Sequence, residues 1–113
     1  MMEVSFQGIG EWAATFMGSG LTEGHVVKMS GSGTVAACGA NEKFCGAVLK
    51  VGDGACAVQL GGLVTVGYSG SAPAVGYTML AANGSGGVKT DSAGREMLVV
   101  AVDEAKQTVT VKL

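Results

Sequence analysis

The sequence predicts an all-β fold: a small β-clip-like or β-barrel domain built from two similar double-hairpin units, preceded by an N-terminal arm. Three observations predict it. The 113-residue chain holds 20 Gly, one Pro and many Val and Ala, a composition suited to strands and turns with little that favours helix. Residues 44–60, FCGAVLKVGDGACAVQL, set Gly52-Asp53-Gly54 between two apolar alternations, the strongest short-range hairpin signal. The chain also echoes itself. Shifted by 53 positions, Gly31-Ser32-Gly33 falls on Gly84-Ser85-Gly86, Val35 on Val88, Val58 on Val111 and Leu60 on Leu113.

Taken in order, residues 1–20 form the arm and 21–113 a single β domain, with repeats at about 22–60 and 74–113. The arm holds three of the six aromatics, Phe6, Trp12 and Phe16. Glycines cut it into short pieces, and 11–17 suits one strand with Trp12, Ala14 and Phe16 on one face. That strand either covers the core of its own subunit or lays large apolar anchors on a partner. A strand over 24–30 alternates His25, Val27 and Met29 against Val26 and Lys28, then turns through Gly31-Ser32-Gly33 into 34–37. Residues 38–43, CGANEK, read as an exposed loop before the central hairpin.

With Asp53-Gly54 as a two-residue type I′ turn, Val51 faces Cys56, Leu49 faces Val58 and Ala47 faces Leu60. Those six residues and Cys45 then make the core face, leaving Lys50, Ala57, Val48 and Gln59 opposite. After the bend at Gly61-Gly62 comes a strand at 63–66, then an irregular connection over 68–73. The second unit follows: a strand at 77–82, a turn at 83–86, a short strand at Val88, a polar loop at 90–95, and strands at 97–102 and 107–113. Here Val100 and Val102 take the places of Ala47 and Leu49, and Gly76-Tyr77 those of Gly24-His25.

Charged residues make up 14 % of the chain, against about 25 % in ordinary soluble domains. None occurs across the 34 residues from Ala55 to Val88. So long an uncharged run in so small a domain points to a surface facing another protein chain. A net charge of −2 argues against nucleic acid, which attracts basic patches. The apolar runs fall short of the roughly 18–20 residues a membrane-spanning helix needs. Nor does the N-terminus read as a secretory signal, lacking a basic start and a continuous apolar run. Cys38, Cys45 and Cys56 are odd in number and form no CxxC pair, which suits free thiols in a reducing cytoplasm.

No catalytic, cofactor or metal constellation emerges. His25 is the lone histidine, and the cysteines lack metal-ligand spacing. The Gly-Ser-Gly pieces precede neither Gly-Lys-Ser/Thr nor a helix start, so they are hairpin turns rather than phosphate loops. Val27-Lys28-Met29 touches the lysine motif of lipoyl and biotinyl carrier domains, but that lysine belongs at a hairpin tip and Lys28 falls inside a strand.

The order of features resembles small phage capsid decoration (head-stabilisation) proteins. The shared features are the apolar arm, Gly33-Thr34-Val35-Ala36-Ala37, the polar loop, Phe44-Cys45-Gly46-Ala47-Val48, the hairpin, Gly62-Leu63-Val64-Thr65-Val66 and the second start at Gly76-Tyr77. The resemblance implies a non-enzymatic virion protein, made in the bacterial host cytoplasm, that binds the major capsid protein as a homo-oligomer, expected to be a trimer. It suggests Phe6, Trp12, Phe16, Leu63, Val64, Val66 and Tyr68 as candidates for shell or subunit contact. Another virion part, a head fibre base or tail component, and a small β carrier or ligand-binding domain are the alternatives.

Overall fold

The computed structural model describes residues 11–113, and these form ten strands and no helix. The first five are β1 (Trp12–Met17), β2 (Val26–Gly31), β3 (Thr34–Ala37), β4 (Gly46–Val51) and β5 (Ala55–Gly61). They close into a barrel in the order β1-β3-β2-β4-β5, antiparallel except where β1 meets β3. The last five are β6 (Leu63–Gly67), β7 (Gly76–Ala82), β8 (Val88–Thr90), β9 (Arg95–Asp103) and β10 (Thr108–Lys112). They form a second sheet in the order β6-β10-β9-β7-β8.

The two halves share one topology. In each, two hairpins lie side by side (β2-β3 with β4-β5, β7-β8 with β9-β10), and the strand before them pairs antiparallel with the last. Each leading strand also reaches across in parallel to the short third strand, Met17 to Thr34 and Tyr68 to Val88. The repeat therefore includes β1 and β6. Trp12–Met17, expected within the arm, is a strand of its own barrel because β5 offers a full antiparallel edge to it. Phe6 lies outside the described residues.

The ladders correct the register of the repeat. A bulge at Leu49 shifts β4 against β5, so Val51 still opposes Cys56 but Val48 opposes Val58 and Ala47 opposes Gln59. The second unit has the same bulge at Val100: Val102 opposes Val109, Val99 opposes Val111 and Leu98 opposes Lys112. Ala47 thus matches Leu98, and Leu49 matches Val100. The 53-residue shift holds for the closing strands, Val58 with Val111, but becomes 51 for β4 and β9, Val48 with Val99. The hairpin turn of the second unit is two residues longer, which accounts for the difference. The central turn is also not type I′. Only Gly54 has positive φ (74°), Asp53 does not, and Gly52 N–H donates to the Ala55 carbonyl.

The bulge changes which residues are core. Val48, Val58 and Cys56 point into the barrel with Val27 and Val35, while Leu49 and Val51 are exposed. Phe16, Leu21, Cys45 and Leu60 pack against that cluster. The second core is larger and belongs to both halves. Leu80, Met97, Val99, Val109 and Val111 of the open sheet pack with Val26, Cys38, Phe44 and Ala47 of the first unit. This explains why adjacent Val26 and Val27 are both buried: one faces the second sheet and the other the barrel interior. In the 38–43 loop, Gly39, Ala40, Asn41 and Lys43 are exposed as expected, but the loop is anchored on the second unit. Cys38 is buried, and the loop pairs its backbone with β7 through Asn41 N–H to the Ala82 carbonyl and Ala82 N–H to the Glu42 carbonyl.

Candidate interaction surface

The sequence-derived contact candidates separate into three groups. Val66 and Tyr68 are core residues of the second unit, 3 % and 7 % exposed, and so are corrected as surface contacts. Alternation in β6 sends Val66 inward opposite Val109, and Tyr68 is held by its bridge to Val88. Phe16 pairs with Cys56 and half-buries in the barrel, and Val64 packs against the shared core. Leu63 stays half-exposed, and Trp12 is 59 % exposed, its indole lying over Gly61 where no larger residue would fit.

A different surface brings large apolar groups together. Across the outer face of the second sheet, Tyr77 pairs with Leu98, Leu98 with Lys112 and Lys112 with Leu63. Tyr77 is 73 % exposed, and Val75, just before β7, is 69 % exposed. The sequence placed Tyr77 opposite His25 in the repeat and assigned it no role. With the ladders, its counterpart is Val26, since Val26 pairs with Ala47 as Tyr77 pairs with Leu98. The signal was the exposed-type alternation Val75, Tyr77, Met79, hidden by the two-residue slip.

The polar groups on the barrel side are structural. Lys28 sits inside β2 and its Nζ donates to Glu42 Oε2 at 2.6 Å, away from any hairpin tip. That bond, with the Gly39 N–H second, holds the Glu42 carboxyl below the usual range. Burial first, and the Glu42 charge next, push the Cys38 thiol up to about 11. Burial likewise raises Cys45. Thiols held protonated are poor nucleophiles at neutral pH. The exposed His25 lays its ring against Gly86, where a side chain would collide with it. Among the described residues no group of three or more His, Cys, Asp and Glu is arranged to hold a metal ion, and no helix is long and apolar enough to cross a membrane.

Compared with known proteins, the chain matches no family model and no curated sequence.

Proposed function

We propose that this chain is a structural protein of a phage head, a decoration protein that binds the capsid shell as a homo-oligomer and braces neighbouring capsid subunits. The observation that carries this reading is the apolar outer face at Val75 and Tyr77, with half-buried Leu98 beside them. An exposed apolar cluster on a small β scaffold is suited to protein contact rather than to turnover of a small molecule. Repetition of one modest contact over a shell gives large total stabilisation through multivalency. The order of small and apolar motifs, which resembles that of head-stabilisation proteins, supports the same reading.

Particles purified on a gradient from an induced source culture test it, by mass spectrometry of this protein against the major capsid protein. Near-stoichiometric copies on heads are expected. A few copies per particle would replace decoration with a fibre, portal or tail role, and absence from particles would refute a virion role altogether.

A further inference from the structure

We propose that copies of this chain join head to tail, the free rim of the barrel in one copy docking on the Tyr77–Leu98 face of the next. This rests on the homo-oligomer part of the reading above but not on the identity of the shell. The contact already exists once inside the chain. The first unit's row Val26, Ala47 and Gln59 is 1–2 % exposed, and the second unit lies against it. Gly86 accepts a hydrogen bond from Val26 N–H at 2.9 Å, and Gly84 packs on Ala40.

Each unit therefore has a face and a rim, and within the chain only one of each is used. The unused face is the row Tyr77, Leu98 and Lys112, which the ladders match residue for residue to Val26, Ala47 and Gln59. Where Val26 is 1 % exposed, Tyr77 is 73 % exposed. The unused rim lies at the Gly31-Ser32-Gly33 turn. Met29 there opposes Val35 as Ala82 opposes Val88 beside the Gly84-Ser85-Gly86 turn of the second unit. Ala82 is fully buried and bonds through its backbone to Asn41 and Glu42 of the first unit, whereas Met29 is 46 % exposed and Met17, paired with Thr34 beside the same turn, is 64 % exposed. Both surfaces the internal contact leaves over carry exposed apolar side chains, and the turn-on-face part of that contact is the part a second copy can repeat, since the barrel interior is already filled. Because face and rim differ, the contact is heterologous, and copies added with a closing rotation form a ring.

Native mass spectrometry and light scattering of the full chain test this with two single substitutions. Tyr77→Asp removes the face and Met29→Asp the rim; both sites are exposed, and circular dichroism checks the fold. The wild type is expected as a closed oligomer and each variant as a monomer. An equal mixture of the two variants is expected to yield a species of twice the monomer mass, because the intact rim of one fits the intact face of the other and cannot propagate. If either aspartate unfolds the chain, Tyr77→Ser and Met29→Ser replace it, with weakened assembly expected. An oligomer that survives both substitutions, or one lost only with Tyr77→Asp, overturns the head-to-tail contact while leaving a homo-oligomer in place. A monomeric wild type overturns the contact and the homo-oligomer reading together.

Discussion

A methyl group at residue 46 would point at the Gln59 carbonyl and come within 2.9 Å of Val58 Cγ1. The matching position in the second unit is Met97, fully buried in the wider shared core. One site thus takes the smallest or a large residue according to whether its sheet has closed. Gly46→Ala is expected to destabilise the chain by about 1–3 kcal/mol through overpacking, read as a lowered denaturant midpoint at unchanged slope. Gln59 is a second residue whose identity the fold demands. Its Nε2 donates to the carbonyls of Gly61 at 3.0 Å and Leu63 at 2.9 Å, tying together the junction between the sheets. Gln59→Leu leaves buried acceptors unpaired and is expected to cost about 1–3 kcal/mol in the same unfolding assay. The thiols make a chemical prediction. With Cys38 pushed up to about 11 and Cys45 raised, both should resist a thiol-specific reagent at neutral pH in the native chain and react on unfolding.

At the scale of elements, apolar alternation and Gly-centred turns were enough to locate the strands and the duplication. The pairing register was not legible, and the reason is physical. The bulges fall at Leu49 and Val100, ordinary strand residues with no glycine or proline to mark them, yet each reverses which face the rest of its strand presents. Burial of neighbouring Val26 and Val27 was equally opaque, because it depends on a second layer supplied from the far half of the chain. The Tyr77 face was missed for the same reason, being recognisable only once Val26 is its counterpart. Two element-scale outcomes follow from local geometry. Gln107 in the last hairpin holds φ at 53°, a conformation that costs a side-chain-bearing residue about 1 kcal/mol. Gln107→Gly relieves that cost, and a modest rise in Tm is expected. In the 38–43 loop, the depressed Glu42 carboxyl contributes stability that is present above the usual glutamate range and lost as pH falls through its folded pKa. Lys28→Met should return the Glu42 titration, followed by NMR, toward the ordinary value, and the stability gap between variant and wild type should narrow in acid.

At the scale of the molecule, the decisive fact is that the larger core is shared. The barrel fills itself with side chains from its own strands, but the second sheet is open and completes its interior with Val26, Phe44 and Ala47 from the first unit. Phe44 is the largest of these, 2 % exposed, in the segment between β3 and β4, and its carbonyl accepts from Arg95 Nη1 at 3.4 Å across the boundary. Duplicated units that each owned a core would melt separately. Here the second cannot keep its interior dry once the first has moved, so the described residues should unfold in one transition, with calorimetric and van't Hoff enthalpies equal. Phe44→Ala, though it lies in the first half, should lower stability by about 3–5 kcal/mol. Its signature in amide exchange distinguishes a shared core from two private ones. Loss of protection is expected in β7, β9 and β10 of the second sheet at least as strongly as in the barrel. Protection lost only among β1 to β5 would mean that Phe44 serves the barrel alone, and that the second sheet is held by its own strands.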